Sequence, residues 1–188
     1  MMAALPTFRA DTEGALWQQI ADHMARQQDL YEYRADLYQQ DFHVRLELDI
    51  DLGGGFEGGY ELTTLMASVP VPTAFHFALH EQDWVHEIGK LLGLQDIELG
   101  DPELDEAFII TTNQPDTLRQ LLAYAEVRNT LLHYPNARLT LAPSSHKDSS
   151  PVQLTFTEER AITEPERLQE IYHLLFTVTQ QLLALPTA

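Results

Sequence analysis

Two histidines four residues apart are the first side chains of this chain that could bind a metal ion or move a proton. His76 and His80 alternate with large apolar residues, and this period of two predicts a β-strand that carries both imidazoles on one face. Residues four apart on a strand are separated by about 13 Å, which is too far for one metal ion to bind both. His43 begins an earlier predicted strand, on the face of Glu47 and Asp49. We predict solvated polar faces without a metal, and we keep His76 and His80 as candidate binding residues.

A run of carboxylates in the second half of the chain is the other candidate for chemistry. Six fall within eleven residues: Asp96, Glu98, Asp101, Glu103, Asp105 and Glu106. Crowding of like charges raises the pKa of some carboxyls, which is one way to make a general acid. Asp101, however, precedes Pro102, and this pair is typical of a turn or helix N-terminus at which the carboxylate accepts backbone N–H groups. Asp105 is placed to accept backbone N–H groups or to pair with Arg119 or Arg128. We take Asp101 and Asp105 as further candidate binding residues and expect both to hold a turn.

Three further patterns resemble known functional motifs but lack residues that those motifs require. Residues 53–59 are rich in glycine, but they lack the lysine of a phosphate-binding loop and lie beside Asp49 and Asp51, which repel phosphate. The same stretch lacks the bidentate glutamate that closes a calcium loop. One helical turn after His86, Lys90 stands where a zinc protease has its second histidine. We therefore predict no catalytic residue, no cofactor and no metal.

The charge balance excludes several classes of partner. The 188 residues include 29 acidic and 11 basic side chains, and the formal net charge is −18. Such a surface repels phosphate backbones and anionic lipid, so we expect no binding to nucleic acid or to membranes. The chain has no cysteine, which removes disulfides, cysteine-ligated metals and a cysteine nucleophile. The most apolar stretch, residues 174–185, is too short to cross a bilayer of roughly 30 Å. We expect a soluble, cytoplasmic protein.

Hydrophobic periodicity predicts the elements that position these side chains. Helical spacing extends over residues 12–40, with a break near residues 28–30, and again over residues 163–185. Strands are expected at residues 43–52, 60–69, 73–80, 107–112, 138–142 and 152–158, with shorter helices at 83–92 and from 115. Strands that cluster in runs are typical of an α+β fold, here a mainly antiparallel sheet packed against helices, with long N-terminal and C-terminal helices. We expect a single domain over 1–188, within which 1–93 and 94–188 are alternative sub-units. The first three strands should form an antiparallel meander.

The first predicted strand gives a sharp expectation about the two faces of the sheet. Its apolar side chains and those of the third strand should be buried together: Val44, Leu46, Leu48, Ile50, Phe75, Phe77 and Leu79. Its polar side chains Arg45, Glu47 and Asp49 should face water. A slip of one residue in the register would exchange the two faces.

One segment resembles a known family. Residues 88–110, IGKLLGLQDIELGDPELDEAFII, are followed by the pair Thr112-Asn113 and by a helix with paired leucines. This arrangement resembles a segment of a family of uncharacterised bacterial proteins, a domain of unknown function. The resemblance implies no activity. It makes Asp101, Asp105 and Phe108 a structural signature, in which the acids fix a turn and the aromatic ring fills the core.

These observations favour a non-enzymatic acidic protein that acts by binding or assembly, as a homodimer or with a protein partner. One alternative is a carboxylate- or metal-dependent hydrolase that uses carboxylates of residues 96–106 with His76, His80 or His86. Another is a small acidic chaperone-like protein. The order helix, three strands, helix, two strands, helix resembles that of type III secretion chaperones, which are small, acidic and dimeric.

Overall fold

The structure is a computed structural model that describes residues 5–54, 58–70, 74–81, 94–143 and 152–185. Within these residues the chain forms nine strands and five helices. In chain order they are β1 (Thr7–Ala10), α1 (Glu13–Met24), β2 (Glu32–Gln39), β3 (Phe42–Asp51), β4 (Tyr60–Ser68), β5 (Phe77–His80), β6 (Gln95–Asp96), α2 (Pro102–Ala107), β7 (Ile109–Thr112), α3 (Pro115–Leu122), α4 (Ala125–His133), β8 (Arg138–Pro143), β9 (Val152–Glu158) and α5 (Pro165–Ala184).

All nine strands join one mixed, mostly antiparallel sheet, which confirms the α+β class. The order across the sheet is β1-β2-β3-β4-β9-β8-β5-β7-β6. Only β1 and β2 run parallel to each other among these strands. Because β4 pairs with β9 and β5 pairs with β8, strands from before and after residue 93 alternate in the sheet.

One row of apolar side chains crosses the sheet and forms the centre of the core. The row consists of residues that are register partners on adjacent strands and are all buried: Leu46, Leu65, Phe156, Leu139, Leu79 and Ile110. The predicted register of β3 is therefore correct. Val44 and Leu48 are buried with the row, whereas Ile50 is only partly buried and Glu47 and Asp49 are half-buried instead of fully exposed.

Helices cover the apolar face of the sheet. The 20-residue helix α5 contacts β4, β9, α1 and α4, and it buries an apolar stripe that includes Leu168, Leu175 and Val178. Helix α1 packs on β1, β2 and α5 through Leu16 and Ile20. Among the described residues, no helix is long and apolar enough to cross a membrane.

The predicted long N-terminal helix is wrong beyond its first half. Helix α1 has 12 residues, and residues 32–39 form strand β2 instead of continuing the helix. In β2, Tyr33, Ala35 and Leu37 are buried and alternate with more exposed polar side chains. This period of two is that of a strand, and β2 pairs with β3 along its whole length. The pairing satisfies the backbone N–H and C=O groups of residues 32–39, where apolar residues recur less regularly at helical spacing. The long helix of the described chain is the C-terminal α5.

The expected meander continues only through β2, β3 and β4. Strand β5 does not pair with β4, because β9 and β8 lie between them in the sheet. Antiparallel pairing of β5 with both β8 and β7 places it among the strands of the second half. The expected helix at residues 83–92, with His86 and Lys90, lies outside the described residues, as does part of the glycine-rich stretch 53–59.

Candidate functional site

The sheet has a second face that none of the described helices covers at β2, β3, β4, β9 and β8. On β2, β3, β4, β9 and β8, the side chains that point away from the buried row are half-buried or exposed. We call this surface the open face; its members include Glu32, Arg34, Asp36, Tyr38, His43, Arg45, Glu47, Asp49, Leu62, Thr64, Met66, Ser68, Arg138, Thr140, Ala142, Gln153, Thr155 and Thr157. Toward β5 and β7 the same side of the sheet closes, because Ala78, His80 and Thr111 are buried there.

The middle of the open face carries no charge. Met66, Thr155 and Thr140 are register partners across β4, β9 and β8, and Thr64 pairs with Thr157. We call these five residues the central patch. They are half-buried, and their exposed atoms are threonine hydroxyls and methyl groups and a thioether. This neutral area stands out in a chain with a net charge of −18, on a surface that no helix covers among the described residues.

One margin of the open face is a connected polar cluster. The Arg9 guanidinium lies 3.8 Å from the centre of the Tyr38 ring, and that ring stacks on His43 with 4.4 Å between centroids. His43 Nε2 lies 2.9 Å from Asp36 Oδ1, and Arg45 donates to both oxygens of Asp36 at 3.0 and 3.2 Å. Partial burial opposes ionisation of Asp36, but the hydrogen bonds from Arg45 and His43 outweigh it and lower the pKa of this carboxyl.

This cluster resembles an activated histidine only in part. An aspartate that orients an imidazole is half of a nucleophilic triad, and a hydroxyl or thiol must lie on the other side of the ring. Among the hydrogen bonds of the described residues, none joins His43 to a serine or threonine hydroxyl. The cluster can order the surface of β1, β2 and β3 and present a guanidinium and an imidazole to a partner.

The predicted turn at the acidic run is present, and both candidate acids hold it. Asp101 caps α2 by accepting the N–H groups of Glu103 and Leu104 at 3.2 and 3.3 Å. Asp105 accepts Leu99 N–H at 2.7 Å and Gly100 N–H at 2.9 Å, and Gly100 adopts a φ of 84°, which favours glycine.

Helix α4 ties this turn to the rest of the domain through Arg128. The guanidinium donates to both oxygens of Asp101 and also to Glu103. This hydrogen bonding is the largest influence on Asp101 and lowers the pKa of its carboxyl. Arg119 instead donates to the Glu98 carbonyl at 3.0 Å and to Asp116. The binding role of Asp101 and Asp105 stays a prediction, whereas their part in the turn is confirmed.

The two candidate histidines lie in different surroundings. His76 is half-buried, its backbone N–H donates to Asn113 Oδ1 at 2.8 Å, and burial lowers the pKa of its imidazole. His80 is only 2% exposed, and its Nδ1 lies 2.7 Å from the Glu81 carbonyl. The expected solvated face is therefore wrong at His80, because β5 lies inside the sheet where the second side is closed. Within the described ranges, no group of three or more His, Asp or Glu side chains could hold a metal ion.

A third cluster, at the junction of α1, α4 and α5, was not predicted. His173 of α5 places Nδ1 2.8 Å from Glu13 Oε2 and Nε2 3.6 Å from Glu126 Oε2. Gln169 donates to the other Glu13 oxygen at 2.8 Å. Burial opposes protonation of His173, but the hydrogen bond and charge of Glu13 outweigh it and raise the pKa of the imidazole. Glu13 and His173 are 160 residues apart, so no local pattern could have indicated the pair.

Two depressions accompany these features, and both are open and acidic. One of about 400 Å³ lies at the α1, α4 and α5 junction, beside His173 and Glu170. The other, of about 780 Å³, lies at the end of the β3–β4 pair, lined by Asp51, Tyr60 and Glu159. Neither contains the candidate acids Asp101 and Asp105 or the candidate histidines His76 and His80.

Comparison of the chain with family models, with curated proteins and with solved structures finds no match. The conclusions about function therefore depend on the geometry of the open face and of the clusters around it.

Proposed function

We propose that this protein acts by binding and assembly rather than by catalysis, and that the open face is its binding surface. The observation that carries the proposal is the uncharged central patch on a sheet face without helices, in a chain with 29 acidic and 11 basic side chains. A surface of that kind can lose its water without leaving a charge unpaired.

The shape of the surface supports a macromolecular partner. Sites for small molecules are concave and enclose most of the ligand, whereas one side of a sheet of five strands is a broad, open surface. Threonine methyls, the Met66 thioether and the Tyr38 ring supply apolar contact, and the hydroxyls supply hydrogen bonds. The net charge of −18 supports a protein partner over nucleic acid or an anionic membrane.

The hydrolase alternative loses support at the acidic run. A general acid needs a carboxyl whose pKa is raised, and it must face a substrate. Asp101 has its pKa lowered by Arg128, and the oxygens of Asp101 and Asp105 accept hydrogen bonds from within the chain. These contacts are what a structural turn requires.

In the chaperone-like alternative, the open face binds a client protein. One observation favours it: α1, then β2 to β4, then α3 and α4, then β8, β9 and α5 follow the order of elements noted in the sequence. Strand β1 precedes that order, and strands β5 to β7 and helix α2 are inserted into it. Proteins with unrelated functions can share one fold. The shared order of elements therefore supports a similarity of fold and not a similarity of function.

The test is site-specific photo-crosslinking in the cell from which the protein comes. A crosslinker replaces Thr155 in the central patch or, as the matched control, Thr163, an exposed threonine in the segment before α5. We expect a discrete crosslinked protein from position 155 and none from 163. In a titration with that purified protein, Thr155→Arg should weaken binding more than tenfold, and Thr163→Arg should not. Crosslinks from position 163 alone, or equal losses in the two variants, would contradict the proposal.

A further inference from the structure

We infer that the occupant of the open face is a second copy of this chain, packed sheet against sheet. The inference rests on the proposed function and goes further, because it names the partner. Three observations carry it: the neutrality of the central patch, the balance of charges at its margin, and the area of the face.

The central patch is where two copies could meet against the least electrostatic repulsion. Each copy carries a net charge of −18, so most pairs of their surfaces would bring carboxylates together. Thr64, Thr140, Thr155, Thr157 and Met66 bring none. A strongly basic partner would instead be matched by an acidic surface, which the central patch is not.

The margin of the patch is also balanced. On β2 and β3, Arg34 is the register partner of Glu47, and Asp36 is the register partner of Arg45. On the other side, Arg138 forms an ion pair with Glu159. Arg45 with Asp36 and Arg138 with Glu159 form ion pairs within the chain, so a second copy need not neutralise these charges. Two further acids of the open face, Glu32 and Asp49, are register partners beyond Arg34 and Glu47.

The area of the face fits a dimer of modest affinity. Five strands about 4.8 Å apart span about 24 Å, and six residues of each strand span about 20 Å. Each copy would then contribute on the order of 500 Å² of planar area, so that a pair would bury about 1,000 Å², near the lower limit for specific interfaces. We expect a dissociation constant in the micromolar range. Packed sheets lie about 10 Å apart, which leaves room for threonine and methionine side chains to interdigitate.

The test combines sedimentation velocity with methyl NMR of the unmodified chain over about 1 to 500 µM, a range that brackets a micromolar dissociation constant. We expect the average mass to rise from that of a monomer to that of a dimer as the protein concentration increases. The Met66 methyl signal should shift with the same dependence, while that of Met24, a buried residue at the end of α1, stays in place. Added salt should strengthen the association, because it screens the repulsion between two acidic copies; a basic partner would show the opposite dependence.

Two substitutions test whether the dimer forms through the open face. Thr155→Arg should weaken the dimer at least tenfold with an unchanged circular dichroism spectrum, and Thr163→Arg should not weaken it. A monomer at every concentration would overturn the inference, as would a dimer that forms without any shift of Met66. If position 155 meanwhile crosslinks to a different protein, the proposed function stands and only the identity of the partner is wrong. If position 155 crosslinks to nothing, the proposed function fails as well.

Discussion

At the scale of single residues, Asp101 has two structural roles that substitution can separate. It caps α2 and it pairs with Arg128 of α4. Asp101→Asn keeps an acceptor for the backbone N–H groups but loses the charge, and Asp101→Ala loses both. We expect melting temperatures in the order wild type, Asn, Ala. In a chain that already carries Arg128→Met, the Asn substitution should cost less, because the ion pair is gone. Equal melting temperatures for all three chains would contradict the structural role and restore a functional one.

Glu158 is a buried carboxyl whose substitution should stabilise the protein. The side chain is 5% exposed, Oε2 has no hydrogen-bond partner within the described residues, and burial raises the pKa of this carboxyl. The unfolded chain therefore releases the proton more readily than the folded one. Below the ordinary pKa of 4.5, both states are protonated, and the folded state loses stability as the pH rises from there through the raised pKa.

The measurement is the melting temperature of wild type and Glu158→Gln as a function of pH. The two proteins should have the same melting temperature at acidic pH, and the Gln variant should have the higher melting temperature at neutral pH. The exposed Glu106→Gln is the matched control and should not produce that pH-dependent gap. A Gln variant that is less stable at neutral pH would show that the ionised carboxylate is satisfied in the folded state.

At the scale of elements, His173 makes the contact of α5 with α1 and α4 sensitive to pH. It lies between Glu13 of α1 and Glu126 of α4, with Glu166, Gln169 and Glu170 of its own helix around the same depression. Because the pKa of His173 is raised in the folded state, its charge contributes stability that is fully present below the ordinary value of 6.5. That contribution is lost as the pH rises through the raised pKa.

Urea unfolding at a pH below 6.5 and at a pH above the raised pKa of His173 measures the effect. We expect the free energy of unfolding of the wild type to fall between these two pH values by more than that of His173→Gln. Glu13→Gln should flatten the dependence in the same way, because it removes the partner that favours the charged imidazole. If the wild type and both variants change in parallel, other groups determine the pH dependence.

At the scale of the whole molecule, the sheet should make the described elements unfold together. Strands from before and after residue 93 alternate, and Phe156 lies in the middle of the buried row between Leu65 and Leu139. We expect tryptophan fluorescence and far-ultraviolet circular dichroism to report one coincident urea transition. Phe156→Ala should shift both probes equally and cost about 3–5 kcal/mol, which is usual for removal of a buried aromatic side chain. Two separate transitions would favour sub-units 1–93 and 94–188 over the single domain.

Local patterns in the sequence predicted those features whose cause is also local. The alternation in β3 predicted its buried face, because side chains of a strand point to opposite sides whatever the partner strand is. Asp101 and Pro102 predicted the start of α2, because a cap and the N–H groups it accepts lie within three residues. The apolar stripe of α5 predicted a long helix, because its period of 3.6 extends over the whole segment. The charge balance led us to expect no nucleic-acid or membrane partner, because net charge depends on composition alone.

Tertiary structure decided what depends on residues far apart in the chain. Residues 32–39 became a strand because β3 was available to pair with them, and β5 moved away from β4 because β9 and β8 lie between the two. His80 is buried because β5 lies where the second side of the sheet is closed, and the pairing of His173 with Glu13 follows from the packing of α5 on α1. The open face has the same origin, because which side of the sheet the helices cover depends on contacts between residues far apart in the chain. Propensity and periodicity act over a few residues, whereas strand order and the choice of which face is covered are set by contacts across the whole chain.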